Sequence, residues 1–301
     1  MKRTVGQSML AIAFMLIASC ASPEKKVELS ETDSAIAIVE NTSQPLEATK
    51  PVDTTSIFGA YVGDFVAEKY REDKNITYSN LISIFIDSMI GDQLFGHSVV
   101  AGNNASFVGR YESVGNGRYR AEVKEPGTNQ YDGIFRFELD SAADEVKGNW
   151  IAYDTSLDVS ERSFLLKKRS FKYDPSLTLN EDFTIIPISE IVEASEEGEG
   201  GKAELVTEDA IKHNASIKLL ESKDIENMKR GDLEVLRNTI YARHGYTFRN
   251  RYMRALFDYV PWYMPVSTDI RDQLTEIERK NIALLKRYEE HAERYYDYFG
   301  R

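Results

Sequence analysis

A single cysteine among 301 residues rules out any disulfide within one chain, so the fold must be held by packing alone. Histidine is equally scarce, with four in all, and no His, Cys or close Asp/Glu grouping has metal-ligand spacing. No metal or other cofactor is expected. The chain also lacks a Gly-x-Ser-x-Gly elbow, a His-Glu-x-x-His pair, a phosphate-cradling glycine loop and a dinucleotide fingerprint. Long apolar runs are missing too. The longest, Met9–Ala18, is too short to span a bilayer as a mature helix. Positive charge is in deficit, with 37 Lys and Arg against 49 Asp and Glu. A formal charge of −12 argues against nucleic acid or an anionic lipid surface as a partner.

What is present begins with a targeting segment. Lys2 and Arg3 form a basic start, Met9–Ala18 an apolar stretch, and Ile17-Ala18-Ser19-Cys20 follows. This resembles the lipobox of bacterial lipoproteins. The resemblance implies a signal peptide over 1–19, cleavage before Cys20, and lipidation of the Cys20 thiol (palmitate) and of the new amino terminus. An ordinary secretory signal with a coincidental cysteine is the plainer alternative. Acyl chains anchor at about 0.8 kcal/mol per buried methylene, so the membrane is a partner through lipid and no transmembrane helix is needed. Ala21 stands where an Asp would imply inner-membrane retention. The expected address is therefore the cell envelope, at the outer membrane. Losing Lys2 and Arg3 makes the mature chain more acidic by two charges.

Residues 20–56 carry few aromatics, mixed charges and Ser/Thr-rich runs broken by Pro45 and Pro51, which predicts a flexible tether. Ala35–Val39 leaves room for a partly helical one. From 57 to 173 the pattern changes to short strands and turns. Strands are predicted at Phe58–Ala67, Leu81–Met89, Asp92–Ala101, Ser106–Glu112, Arg118–Lys124, Gly133–Asp140, Val146–Tyr153 and Arg162–Lys168. Asn116-Gly117 reads as a tight hairpin. Ile82, Ile84 and Ile86 share one face, Ser83 and Asp87 the other. Such a meander predicts an eight-stranded antiparallel barrel or near-barrel sandwich. With the early Gly59-Ala60-Tyr61, it is similar to lipocalin-like barrels. Phe95, His97, Phe107, Tyr119, Phe135, Phe137, Trp150 and Tyr153 would either line a cup or divide between core and surface; division is the simpler expectation. His97 reads as a hydrogen-bonded strand histidine rather than a ligand.

Residues 174–215 read as an acidic linker, with Phe183–Ile188 a short strand or a segment lying on the barrel. Glu190, Glu193, Glu196, Glu197 and Glu199 carry no intervening cation and precede Gly200-Gly201. Calcium binding is the sharper alternative, but the spacing is not that of a calcium loop.

The last part, 216–301, is organised by Leu236–Phe248. Leu233, Leu236, Ile240 and His244 stack on one helical face, and Gly245 marks the stop. Ser222 would cap a short helix over Ser222–Met228, Asp232 the motif helix, and Thr268 or Asp269 the last one. Leu274, Ile277, Asn281, Leu284, Leu285 and Tyr288 form the last helix's stripe. Leu236-Arg237-Asn238, Tyr241-Ala242-Arg243-His244-Gly245, Trp262-Tyr263-Met264-Pro265 and Glu278-Arg279-Lys280-Asn281 occur in order. Over about 219–289 these resemble the YARHG domain, which implies a small all-α, extracytoplasmic module without established chemistry. The fold class expected is α+β, a barrel followed by this helical domain, which is too small to be robust without packing on its neighbour.

His244 lies on the apolar face, so it is read as part of a buried polar clasp. Its partner would be Asn281, a tyrosine hydroxyl or a carbonyl of the Trp262–Pro265 turn. Arg237 and Arg243 would stack on rings or pair with Glu276 or Glu278. Arg294, Tyr295, Tyr296, Tyr298 and Phe299 end the chain with an aromatic tail. Two functions follow. One is a membrane-tethered binding or scaffolding lipoprotein with an envelope protein, peptide or glycan as partner. The other is a hydrolase of envelope polymers using His244 as general base with nearby carboxylates such as Asp258.

Overall fold

A computed structural model describes residues 57–179 and 206–295. The signal peptide, Cys20, the tether, Phe183–Ile188, the glutamate run and the aromatic tail from Tyr296 lie outside the described residues.

Eight strands follow one another: β1 (Gly59–Tyr70), β2 (Ser79–Ile90), β3 (Gln93–Val100), β4 (Asn103–Gly115), β5 (Arg118–Lys124), β6 (Gly133–Asp140), β7 (Glu145–Ala152) and β8 (Val159–Lys168). Each pairs antiparallel with the next, and β1 pairs with β8, so the sheet closes into a barrel in sequence order. Alternation drives this. On β6, Phe135, Phe137 and Leu139 are buried while Arg136 and Glu138 face solvent. The hairpin at Asn116-Gly117 has positive φ at both residues, as a tight turn between twisted strands requires. Phe65, Ile82, Ile84, Ile86, Phe107, Phe135 and Trp150 belong to one interior cluster.

The aromatics named from sequence divide as expected. Phe107, Phe135, Phe137 and Trp150 are buried, whereas Phe95 and His97 sit on the outward register and Tyr153 is exposed. His97 stacks on Phe85 at 4.3 Å, and its Nδ1 lies 2.9 Å from Asp87 Oδ2.

The helical part contains a 3₁₀ turn (Glu208–Ile211), then α1 (Ser222–Ile225), α2 (Arg230–Arg243), α3 (Arg251–Phe257), a second 3₁₀ turn (Arg271–Gln273) and α4 (Glu276–Tyr295). Several caps differ from expectation. Glu221, not Ser222, precedes α1, and its N–H donates to the Asp224 carboxylate at 3.0 Å. Asp232 lies in the first turn of α2, where it accepts from the backbone of Lys229, the N-cap residue of the helix, and from the Thr207 hydroxyl at 2.8 Å, so it also ties the helix to the first 3₁₀ turn. The last helix is capped by Thr275 rather than Thr268 or Asp269. Its N–H donates to Glu278 Oε2 (2.9 Å) and its hydroxyl accepts from the Glu278 N–H (3.2 Å), a reciprocal box written as Thr-x-x-Glu. α3 adds a helix beyond those expected, capped by Asn250 through the Tyr252 and Met253 N–H groups. The expected stripe of α4 holds at Asn281 and Leu285, with Leu274, Leu284 and Tyr288 packed against the same cluster; Glu278 and Ile282 are also buried, and Ile277 is exposed.

The described residues fall within one unit. Met264, Val266 and Phe171 cover the outer face of β1 and β2 against Ala60, Val62, Leu81 and Phe85. Ser83, outward on β2, is buried beneath this cover, and its hydroxyl has no hydrogen-bond partner among the described residues. The helical part has its own clusters, around Val235, Phe257 and Tyr263 and around Leu236, Ile240 and Leu285, and leans on the barrel through Met264 and Val266.

Candidate functional site

Among the described residues, buried polar side chains gather at the end of α2 and at the mouth of the barrel. At the first, Gly245 adopts φ 69°, which ends the helix in the left-handed region. A Cβ there would stand 2.4 Å from Val266 Cγ2 and 3.0 Å from the Met264 carbonyl oxygen, so a bare residue is required on two counts. His244, one residue earlier, continues the core face of Leu233, Leu236 and Ile240 and is 2% exposed.

The clasp exists, with a different partner. His244 Nε2 lies 2.8 Å from Glu278 Oε2, and its ring stacks on Tyr173 at 4.2 Å. The Tyr173 hydroxyl donates to Glu278 Oε1 at 3.0 Å. Burial by itself would raise the Glu278 pKa. The hydrogen bonds from His244, the Thr275 N–H and Ser216, with the coulombic pull of His244, outweigh it and hold the carboxyl at about 2. Asn281 makes its hydrogen bonds elsewhere. It stitches the segment before α1, accepting from the Leu220 N–H and donating to the Ala215 and Lys218 carbonyls.

The other motif residues are also fasteners. Arg237 makes a bidentate pair with Glu289, not Glu276 or Glu278, and lies over the Tyr241 ring. Arg243 is buried and donates to the Leu177 carbonyl (2.7 Å) and the Ser216 hydroxyl (3.0 Å). Asn238 donates to the Glu234 carbonyl within its own helix. Trp262 Nε1 donates to the Thr178 carbonyl, and the buried Tyr263 hydroxyl donates to the Tyr246 carbonyl. Pro265 is buried in the segment that covers β1. Asp258, the carboxylate suggested beside His244, instead accepts from the Leu81 N–H on β2 at 2.9 Å. His244 and Asp258 therefore serve separate contacts, and the covered imidazole offers a polymer no approach.

The barrel mouth is different in character. A cup of about 660 Å³ opens there, walled by the barrel and by residues 249–254 of the helical part. Its apolar floor is Phe65, Phe135 and Trp150, with Phe65 edge-on to Trp150 at 5.8 Å. Buried Glu125 accepts from Ser98 Oγ, the Gly133 N–H and Trp150 Nε1. Burial pushes its carboxyl up to about 7 against the pull of those three donors. Arg162 reaches inward from β8, its guanidinium 5.3 Å from the centre of the Phe65 ring, and donates to the Phe65, Thr77 and Tyr78 carbonyls.

Three further arginines arrive from the helical part. Arg249 rests on the β3–β4 turn, where Gly102 has φ 78° and a Cβ would come within 2.0 Å of Arg249 Cγ. Arg251 donates to Asn75 and Ile76, and Arg254 to Asn80 Oδ1 and the Phe248 and Arg249 carbonyls. Of the aromatics that could line a cup on the sequence reading, Phe135 and Trp150 do so; Glu125 and the arginines go unnoticed, because a Glu at a strand end carries no local signal of burial.

Among the described residues no group of His, Cys, Asp and Glu is arranged to hold a metal ion, and no helix is long and apolar enough to cross a membrane. No curated protein and no solved structure matches the chain. Residues 210–290 match the family model of the YARHG domain, beginning a little before the stretch over which the motifs were read. The segment from the end of the first 3₁₀ turn through most of α4, whose Tyr241–Gly245 closes the buried clasp, is thus a YARHG domain seated on an eight-stranded barrel.

Proposed function

We propose that this chain is an extracytoplasmic binding module, held at the bacterial outer membrane by lipid on Cys20, and that its ligand site is the cup at the barrel mouth. The observation that carries the reading is the joint wall of the cup. The barrel supplies the apolar floor and the YARHG domain supplies residues 249–254 above it, so ligand contact would report on both parts at once. The YARHG motif then has a structural role, fastening the helical part in the position that completes the cup. Envelope proteins, peptides and glycans stay as partners for the outer surface.

Two experiments test this. Fractionation of cells expressing Cys20→Ser should move the protein from the membrane to the soluble fraction; undiminished membrane association refutes the anchor. For the cup, native mass spectrometry of the chain from residue 21, incubated with envelope extract, should show an added small-molecule mass. Ala105→Trp, which fills the cup from the β4 wall, should lose that mass. An unaltered adduct in the filled variant refutes the site.

A further inference from the structure

Four arginines line the cup without forming an ion pair among the described residues, beside the carboxylates of Glu125, Asp132 and Asp158. Arg162, Arg249, Arg251 and Arg254 all line it, and their hydrogen-bond partners are neutral: main-chain carbonyls and the side chains of Asn75 and Asn80. None of the four lies within ion-pair distance of a carboxylate among the described residues. Elsewhere Arg71, Arg110, Arg120, Arg136, Arg237 and Arg271 each face an Asp or Glu, and Arg169 and Arg243 are held by neutral groups as the cup arginines are; what sets the cup apart is that four such guanidiniums line one cavity.

The guanidiniums also oppose one another. Burial first, and then the nearby Arg254 charge, bring the Arg162 pKa down to about 10. Arg254 is held down first by burial; the Asp258 charge acts against that, and the Arg251 charge, a smaller effect, adds to it. Like charges gathered in a partly closed space are costly unless an anion joins them. The carboxylates facing the cup do not fill that role. Glu125 is engaged by three local donors, and Asp132 accepts from the N–H groups of Gly127, Thr128 and Asn129. Asp158 sits exposed at the rim. Arg162 still has N–H hydrogens beyond the three it donates, and guanidinium forks are the side chains best matched to carboxylate or phosphate oxygens.

We infer that the cup binds a small anionic molecule, its carboxylate or phosphate oxygens taken by Arg162 and the arginines of residues 249–254, its apolar part lying on Phe65, Phe135 and Trp150. This rests on the reading of the cup as the ligand site and adds the class of ligand. Charge selection then depends on the YARHG domain, since three of the four cations come from it. A barrel alone would keep the floor and lose most of the recognition.

The test uses phenyl phosphate, phenylacetate and the neutral phenylacetamide, titrated calorimetrically into the chain from residue 21. At least one anion should bind tenfold or more tighter than the amide, and whichever binds tighter identifies phosphate or carboxylate as the preferred group. Arg249→Gln with Arg251→Gln, both at the accessible rim, should weaken the anion tenfold or more and leave the amide unchanged. Ala105→Trp should abolish all binding. Equal affinity for anion and amide, blocked by Ala105→Trp, overturns the anionic assignment and leaves the cup as a binding site. Anion binding that survives Ala105→Trp, or no binding of any probe, overturns the cup reading itself. Inorganic phosphate binding as tightly as phenyl phosphate overturns the role of the aromatic floor.

Discussion

His244, at the end of α2, and Glu278, in the first turn of α4, meet at 2.8 Å with almost no exposure to solvent. Neither is available to outside molecules. The pair joins the two long helices of the YARHG domain and, through Tyr173, ties both to the segment leaving the barrel.

This pair sets an acid limit on stability. The Glu278 pKa is about 2 in the fold against an ordinary 4.5, so its contribution is present above 4.5 and is lost as pH falls toward 2. Glu125 and Asp258 act with the opposite sign, because both are raised to about 7. Their contribution is present below their ordinary values and is lost as pH rises through 7. Urea melts across pH should therefore show greatest stability near the ordinary carboxylate range. Glu278→Gln should flatten the acid limb and Glu125→Gln the limb toward neutrality. Unchanged limbs in both variants contradict the assignment.

His244→Ala leaves the Glu278 carboxylate buried without its principal partner. We expect a loss on the order of 1–3 kcal/mol or somewhat more, since the stranded group is charged. The variant should still bind any cup ligand once folded. A His244→Ala protein that melts like the parent and loses binding would move His244 into the site.

Gly245 permits no side chain. Its left-handed backbone costs an L-residue about 1–2 kcal/mol, and Val266 and the Met264 carbonyl stand where a Cβ must go. Gly245→Ala should lower the thermal midpoint clearly and Gly245→Val further, a β-branched residue being the worse fit.

Asn281 holds three main-chain groups at once, so Asn281→Ala strands the Leu220 N–H and two carbonyls. A loss on the order of 1–3 kcal/mol is expected. Hydrogen exchange should speed up first around 215–220, and uniform acceleration across the barrel would contradict so local a role.

Proteolysis should cut first within the glutamate and glycine stretch near 190–201, as its composition predicts. The two fragments should then stay together on size-exclusion chromatography and part only in denaturant. Arg169 donates to the Pro261 and Tyr263 carbonyls, Asp258 accepts from Leu81, and Met264 lies on Ala60 and Val62. Spontaneous separation after nicking would show this contact to be weaker than its burial suggests.

Local patterns were legible in the sequence. Alternation placed β5 and β6 to the residue, because a strand with one buried face repeats every second position. Gly245 announced the end of α2 because only a residue without Cβ sits comfortably at positive φ. The burial of His244 was readable from its spacing to Leu236 and Ile240. Its partner was not. Asn281 and Glu278 lie within one turn of the same helix, and which of them meets His244 depends on how α2 and α4 cross. The Thr275–Glu278 box was written in the sequence and fixed the start of α4, so it also set which face turned inward. The sequence offered Phe135 and Trp150 as candidates for a cup wall, but the cup's arginines belong to the tertiary structure. Arg162 and Arg254 are 92 positions apart, and only the seating of the helical part on β1 and β2 makes them neighbours with neutral partners. Local periodicity follows from chain geometry that each residue carries with it, whereas the pairing of distant charges is decided by how the finished elements pack.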